Sequence, residues 1–368
     1  MMRKISPTDE RFMRAALRLA ERGTGTVSPN PLVGAVIVKS GKIIGRGWHQ
    51  KAGLAHAEVN AVQDAKSRGA NCVGATLYVT LEPCSSHGRT PPCTDLIKRG
   101  QFARVVVGCL DPDDRHQGRG CKLLRETGIK VDVGCLEEDC LLMNRVFFTG
   151  KLLRRPWFTG KIALTRDGKA SGQPRKWISS TASRRHAHGL RFAHDAILVG
   201  AGTVRADDPA LTLRHGYAKD GKDQPWRVIL AGRSKLPPDA RVFTDEYRDR
   251  TILITPEKCK SPSAGRLKPE QIARFLYDKG IFSCLIEGGV EVLDSFFKAG
   301  LIDEFHLYQS QTVLSKKKNA LDAGKLLRRL EGRGFEKTGE SRRMTDRVSH
   351  YFSSSSGKLL RTISSIRR

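Results

Sequence analysis

Four side chains in the first part of the chain could together perform metal chemistry. His56 and Glu58 are separated by one residue, and Cys84 and Cys93 follow further along the chain. One imidazole and two thiolates are ligands that zinc prefers, and three protein ligands leave the fourth tetrahedral position open for water. Glu58 is close enough to a ligand to reach that water without binding the metal, so it could move protons during hydrolysis. We therefore predict a catalytic zinc site with Glu58 as the general acid and base.

Each of these residues also has a simpler interpretation. A single histidine is often a structural residue, and two cysteines alone could form a structural zinc pair. The pattern H-x-E followed by P-C is, however, a signature of zinc-dependent deaminases. His56 and the Cys84–Cys93 segment are also predicted to lie where helices begin, and a helix N-terminus favours a thiolate. The combination favours hydrolytic removal of an amino group from a nucleobase-like ring.

The surrounding sequence predicts the elements that would position these residues. Ser6, Pro7 and Asp9 have the spacing of a capped helix start, and Gly23 ends the apolar helix that follows. A hairpin is predicted over 33–44, with its turn at 39–42. Further strands are expected over 76–80, 104–109 and 130–134, and helices over 56–67, 92–99 and 120–128. Strands that alternate with helices indicate an α/β layer architecture.

A basic, poorly periodic segment over 142–155 predicts a boundary between two domains. A second α/β series follows it, with strands expected over 157–163, 196–200, 227–231, 251–255, 282–287 and 304–309. Helices are expected over 181–192, 269–279 and 290–299. We predict a first domain over 1–150, a second domain over 151–340, and a basic, Ser/Arg-rich tail over 341–368.

Composition limits the classes of protein to consider. The chain has 368 residues, 39% of them hydrophobic, which is enough for two domains with their own cores. Its nine cysteines, an odd number, do not suggest a disulfide framework. No apolar run reaches the roughly 18–20 residues of a membrane helix, and no signal peptide is evident at the start. We expect a cytoplasmic protein that does not bind a membrane.

The net charge of +27 predicts an attraction for anions, either nucleic acid or small phosphorylated substrates. Much of the excess positive charge lies over 315–334 and in the predicted tail. Charge runs of this kind are usually solvated, so we expect no nucleic-acid partner.

Several runs around the predicted zinc ligands resemble one family. Pro29–Gly34, His56–Glu58, Glu82–Cys84 and Gly88–Cys93 are similar to the bifunctional deaminase–reductase of riboflavin biosynthesis. The eight residues between Cys84 and Cys93 correspond to an insert that shapes a pocket for a ribosylated pyrimidine phosphate. The resemblance implies a cytidine-deaminase-like three-layer α/β/α domain that binds Zn²⁺. It also implies substrate contacts from Asn30, His49 and Arg89, although Asn30-Pro31 could be an ordinary turn and Arg89 a solvated base.

Residues 156–311 resemble the reductase half of the same family, whose fold is like dihydrofolate reductase. The resemblance implies an NADPH site without a Rossmann unit, since Arg205 stands where a G-x-G-x-x-G pattern would have its third glycine. The implied NADPH contacts are Ala163, Trp177, Thr203, Asp207, Gly288 and Gly289. The implied substrate contacts are Arg191, Leu211, Arg214 and Glu287. Lys161 and Asp167 are candidates for polar groups near the reduced carbon.

The resemblance implies a homo-oligomeric enzyme with two activities. The first is hydrolytic deamination of 2,5-diamino-6-(5-phosphoribosylamino)pyrimidin-4-one, and the second is reduction of the ribosyl side chain to ribityl by NADPH. Two alternatives stay open. The second domain could be an inactive scaffold, because it departs from the family pattern at positions such as Arg166 and Arg175. The charge could instead belong to an RNA-binding editing deaminase, which would bind RNA with a steep salt dependence.

Overall fold

The computed structural model describes residues 5–87, 91–113, 116–170, 178–217, 223–232, 234–259, 267–313, 323–332 and 334–357. The chain divides into two units between Leu153 and Arg154, close to the predicted boundary. Among the described residues, no helix has both the length and the apolar character needed to span a membrane.

The first unit is a mixed sheet with helices. Its strands are β1 (Gly34–Lys39), β2 (Lys42–Trp48), β3 (Thr76–Leu81), β4 (Arg104–Cys109) and β5 (Lys130–Val133). Its helices are α1 (Pro7–Ala20), α2 (Ala57–Ser67), α3 (Cys93–Arg99), α4 (Arg119–Glu126), α5 (Glu137–Met143) and α6 (Arg145–Leu153). The strand order is β2-β1-β3-β4-β5. β1 runs antiparallel to β2 and β3, whereas β3, β4 and β5 are parallel. This is the predicted α/β architecture.

The predicted cap of α1 is confirmed. The Ser6 hydroxyl accepts a hydrogen bond from the Asp9 backbone N–H (3.2 Å), and the Asp9 carboxylate accepts one from the Ser6 backbone N–H (3.0 Å). The same carboxylate also binds Arg104 of β4 and the hydroxyl of Tyr78 in β3. One side chain therefore both caps α1 and fixes it to the sheet.

Helix α2 packs unusually close to β2 because small residues face each other. A Cβ atom on Gly47 would lie 2.2 Å from the carbonyl oxygen of Ala57, and one on Gly45 would lie 2.3 Å from that of Ala61. No side chain larger than hydrogen fits at either glycine without moving the helix. This contact fixes the N-terminal end of α2, where His56 and Glu58 lie.

The second unit contains a larger sheet. Its strands are β6 (Trp157–Leu164), β7 (Ala196–Gly200), β8 (Trp226–Leu230), β9 (Thr251–Ile254), β10 (Ser283–Ile286), β11 (Glu304–Gln309), β12 (Phe335–Arg343) and β13 (Asp346–Ser353). Its helices are α7 (Thr181–Ala193), α8 (Ala201–Asp207), α9 (Arg241–Thr244), α10 (Pro269–Asp278), α11 (Val290–Lys298) and α12 (Gly324–Gly332). The strand order is β12-β13-β11-β6-β10-β7-β8-β9. The strands from β11 to β9 are parallel, and β12 and β13 are antiparallel.

The tail predicted over 341–368 is wrong for its first part. β12 and β13 form a hairpin, and the whole of β11 pairs with β13 over Arg347 to Phe352. The basic side chains concealed this hairpin, because β12 is an edge strand and edge strands tolerate charged residues. Residues 358–368 lie outside the described part of the chain.

The segment over 142–155 also differs from the prediction. Most of it forms α6, and Phe148, Thr149 and Gly150 on this helix are buried. The three buried residues are consecutive, so they do not give the three- or four-residue spacing by which a helix is detected in a sequence.

Candidate active sites

The three predicted zinc ligands converge beyond the C-terminal end of β3, the central strand of the first sheet. His56 is the N-cap of α2, Cys84 follows β3, and Cys93 is the first residue of α3. His56 Nδ1 lies 3.6 Å from Cys84 Sγ and 3.4 Å from Cys93 Sγ. In a tetrahedral zinc site a nitrogen and a sulfur ligand are about 3.6 Å apart. The donor atoms therefore already have the spacing that a zinc ion needs.

The surroundings of Cys84 favour the thiolate form that binds metal. The backbone N–H of Cys93 donates a hydrogen bond to Cys84 Sγ at 3.3 Å, at the start of α3. A hydrogen bond with the Cys93 thiol, together with one from His56, lowers the pKa of Cys84 well below its usual range. Cys84 therefore needs little energy to become the thiolate ligand.

Glu58 lies beside the ligands and is almost completely enclosed. Its side chain is in the first turn of α2, and the residue is 4% exposed. Burial raises the pKa of Glu58 to about 7. A carboxyl group in this range can both accept and donate a proton near neutral pH, as a general acid and base must.

Asn30 and His49, predicted from the family resemblance, are brought together next to this site. Asn30 Nδ2 lies 3.1 Å from His49 Nε2, and His49 Nδ1 lies 3.1 Å from the carbonyl oxygen of Ala55. A carbonyl can only accept, so Nδ1 carries the proton and Nε2 accepts from the Asn30 amide. The His49 ring is buried and packs edge-on against His56. Arg89, the third predicted contact, lies outside the described residues.

Two residues that support this site received no role from the sequence. The Glu82 carboxylate accepts hydrogen bonds from the backbone amides of Asp111, Gly118, Gly120 and Cys121. It thereby fixes a loop beside the Pro83-Cys84 segment. Asn144 binds both backbone groups of Leu32, at 2.7 and 2.9 Å, and so holds the segment next to Asn30. Glu82 could have been noticed in the sequence, because it stands in the Glu82-Pro83-Cys84 run next to a predicted zinc ligand. No sequence pattern pointed to Asn144.

Three charged residues meet in the second unit at the end of β10. Arg191 of α7 donates to both carboxylate oxygens of Glu287, from Nε at 2.6 Å and from Nη2 at 3.0 Å. The attraction of Arg191 and then of Lys161 lowers the pKa of Glu287 to about 2 despite its burial. Burial lowers the pKa of Lys161. The carboxylate is therefore held ionised between two cations.

The two glycine segments predicted to face the cofactor also converge. A Cβ atom on Gly200 or on Gly288 would lie 2.9 Å from the side chain of Val292 in α11. Gly200 and Gly289 are the N-caps of α8 and α11, and neither helix start has a side-chain cap. Uncapped backbone amides at helix starts are available to bind phosphate oxygens. This arrangement fits the phosphates of a dinucleotide.

The remaining predicted contacts lie on several elements of the second unit. Thr203 and Asp207 are in α8, Ala163 is in β6, and Asp167 is in the turn after β6. The side chain of Leu211 is buried in a core cluster with Val199 and Val204, so it offers a ligand only its backbone. Arg214 has an exposed side chain, and its backbone N–H donates to His188 Nδ1 at 3.1 Å. Trp177 lies outside the described residues.

Comparison with known proteins connects both sites to one family. The model of the cytidine and deoxycytidylate deaminase zinc-binding region matches residues 6–109, and the model of the RibD C-terminal domain matches residues 156–342. The riboflavin biosynthesis protein RibD of Aquifex aeolicus is 42% identical over 339 residues, which cover 88% of this chain and 92% of that protein. The chain belongs to the RibD family.

Other RibD proteins agree in sequence and in structure. RibD of Escherichia coli is 37% identical over 334 residues, covering 83% of this chain and 88% of that protein. A solved structure from Thermotoga maritima, described as a diaminohydroxyphosphoribosylaminopyrimidine deaminase and 5-amino-6-(5-phosphoribosylamino)uracil reductase, superposes with a TM-score of 0.83 at 35% identity. The superposition covers 94% of this chain and 99% of the Thermotoga maritima chain. The predicted family and both fold classes are therefore confirmed.

Proposed function

We propose that the chain catalyses two successive steps of riboflavin biosynthesis. The first unit hydrolyses an amino group from 2,5-diamino-6-(5-phosphoribosylamino)pyrimidin-4-one, and the second reduces the ribosyl side chain of the product to ribityl with NADPH. The observation that carries the proposal is the three-ligand zinc geometry with Glu58 beside it, in one chain with a RibD reductase unit.

In the deamination step, His56, Cys84 and Cys93 would hold the zinc ion. Zinc supplies Lewis-acid activation of a water molecule when it is bound. Glu58 accepts a proton from the attacking water and returns it to the amino group that leaves as ammonia. The enclosed position of Glu58 keeps bulk water from competing for that proton.

Substrate recognition in the first unit depends on Asn30. We assign the direct contact to the Asn30 side chain, which is part-exposed, and a positioning role to His49, whose two ring nitrogens are already used. His49 fixes which way the Asn30 amide faces, because it accepts from the Nδ2 end.

In the reduction step, NADPH supplies a hydride for the sugar carbon when it is bound. A proton must go to the sugar oxygen, and Lys161 is the candidate donor, because its lowered pKa makes it release a proton more easily. The guanidinium of Arg191 is committed to Glu287. We therefore assign the substrate phosphate to the exposed Arg214 and the ribose hydroxyls to Glu287.

The reductase assignment is tested separately from deamination by supplying the deaminated intermediate with NADPH. Loss of nicotinamide absorbance is the expected result, and Lys161→Met should abolish it while ammonia release from the diamino substrate continues. Absorbance loss no faster than without protein would establish the scaffold alternative instead. A homo-oligomeric state, a cytoplasmic location and the lack of a nucleic-acid partner stay predictions.

A further inference from the structure

We propose that the reductase unit contains a second metal site, formed by Glu304, His306 and His350. The first two residues are in β11, and His350 is the register partner of His306 on β13. Their donor atoms all lie within 4.8 Å of one another. The proposal does not depend on the proposed function, since none of its three ligands has been assigned a role in either candidate active site.

The spacing of the donor atoms suits a metal ion. His350 Nε2 and His306 Nε2 lie 2.8 and 3.1 Å from the same oxygen of Glu304, Oε1. Ligands at about 2.1 Å from a metal are about 3.0 Å apart at an octahedral angle and about 3.4 Å apart at a tetrahedral one. Only small side-chain movements would therefore place all three donors around one ion.

Neighbouring side chains already orient these donors. Trp157 Nε1–H donates to the other oxygen of Glu304 at 3.2 Å, and Thr338 Oγ1 lies 2.8 Å from His350 Nδ1. Outer hydrogen bonds of this kind orient metal ligands and fix the histidine tautomer. Without a metal, His350 Nε2 donates to the Glu304 carboxylate, which can only accept. On metal binding, Nε2 would give up this proton and present its lone pair, and Thr338 Oγ1 would accept from Nδ1–H. No described residue bonds to His306 Nδ1, so nothing prevents His306 from adopting the same tautomer.

Access and chemistry identify the type of ion. The side chains of His306 and Glu304 are 9% and 7% exposed, whereas that of His350 is 28% exposed and gives a path from solvent. Two imidazoles and a carboxylate without a thiolate favour a divalent first-row transition metal over calcium or magnesium. Both histidines are on paired strands, which hold ligands more precisely than loops do.

The position of the site suggests what the ion would do. It would join β11 to β13, and through Thr338 it would involve β12, so it would fasten the terminal hairpin to the sheet. On its other side, His306 is the register partner of Lys161 in β6. Neighbouring strands are about 4.8 Å apart, so the ion would stabilise the strand next to the proposed proton donor.

Zinc stoichiometry of the full-length protein tests this proposal. The metal-free protein is dialysed against buffered Zn²⁺ and its zinc content per chain is measured, with circular dichroism as a check on folding. We expect two zinc ions in the wild type, one in His350→Phe, one in Cys93→Ser and none in the double variant. Glu304→Gln, which keeps the size of the side chain, should bind its second ion at least tenfold more weakly.

The histidine pair His188 and His215 provides the matched control, because these rings also lie close together, at 4.8 Å between centroids. His215→Phe should keep both ions. One zinc ion in the wild type that is lost in Cys93→Ser and kept in His350→Phe would overturn the second site while leaving the deaminase site intact. Loss of the second ion in His215→Phe but not in His350→Phe would also overturn it. Zinc that is retained in Cys93→Ser and lost in His350→Phe would contradict the proposed deaminase centre, not the second site.

Discussion

Arg191 and Glu287 form a two-pronged ion pair that links α7 to the end of β10. Their side chains are 12% and 10% exposed, and the shorter contact joins Arg191 Nε to Glu287 Oε1 at 2.6 Å. The family resemblance assigned both residues to the substrate. In the structure the Arg191 guanidinium is committed to Glu287, whose remaining lone pairs can still accept from ribose hydroxyls. The pair therefore fixes the geometry of the reductase site before any ligand arrives.

Breaking this pair should destabilise the second unit. Arg191→Met leaves a buried carboxylate without its main partner, which typically costs about 3–5 kcal/mol. We expect a lower midpoint of urea unfolding for the second unit, followed by the fluorescence of its tryptophans.

The exposed pair Arg274 and Asp278 is the control, with side chains 66% and 57% exposed. Arg274→Met should change the stability by less than about 1 kcal/mol, because exposed ion pairs contribute little. Equal losses of stability in the two variants would show that the buried Arg191–Glu287 pair stabilises the protein no more than an exposed ion pair does.

The ion pair between Arg191 and Glu287 makes the stability of the second unit depend on pH. The pKa of Glu287 is lowered from 4.5 to about 2, so the unfolded chain binds its proton more readily than the folded one. The stabilisation is complete above pH 4.5 and is lost as the pH falls towards 2; a shift of this size corresponds to about 3 kcal/mol.

Glu287→Gln removes this titrating group, so the variant should lose less stability than the wild type between pH 5 and pH 3. Unfolding curves at these two pH values measure the difference. Parallel losses in both proteins would contradict the assignment of this pH dependence to Glu287.

Replacing the proposed proton carrier should abolish deamination without removing zinc. For Glu58→Gln we expect kcat to fall by about 10²–10⁴-fold, the usual contribution of a general acid–base residue. Reduction of the deaminated intermediate and the zinc content should stay as in the wild type.

Glu126→Gln serves as the matched control, since its exposed side chain lies on α4 in the same unit. If Glu58→Gln retained normal ammonia release, the role of this residue would be refuted. Loss of zinc together with activity would instead make it a structural residue.

The close contact between β2 and α2 predicts that a substitution away from the zinc ligands also weakens zinc binding. In Gly47→Ala, the new Cβ must push against the carbonyl of Ala57, and overpacking of this kind costs about 1–3 kcal/mol. Movement of α2 also displaces His56, so we expect weaker zinc binding in a chelator competition.

Gly202→Ala is the control, because a Cβ there has no atom within 4 Å. It should leave zinc affinity unchanged. Wild-type affinity in Gly47→Ala would mean that α2 does not depend on this contact for its position.

The local features of the chain were predictable because their signals are local. Ser6 and Asp9 are three residues apart, and the zinc ligands stand in short runs at the ends of predicted elements. Their convergence follows from the sheet, since β3 delivers Cys84 next to the helix that begins after His56.

The relationships that sequence did not predict join distant residues. Arg191 and Glu287 are 96 positions apart, and Asn144 and Leu32 are 112 apart. No periodicity signals such pairs, so each residue was assigned to a ligand or left without a role. Basic residues on β12 led to the predicted tail, because an edge strand and a solvated tail can have the same composition.

The most direct test of the central claim identifies the products by mass. The zinc-loaded protein is given 2,5-diamino-6-(5-phosphoribosylamino)pyrimidin-4-one with and without NADPH. We predict the deaminated ribosyl compound alone without NADPH, and the ribityl compound, heavier by two hydrogens, when NADPH is present. Unchanged diamino substrate under both conditions would contradict the account.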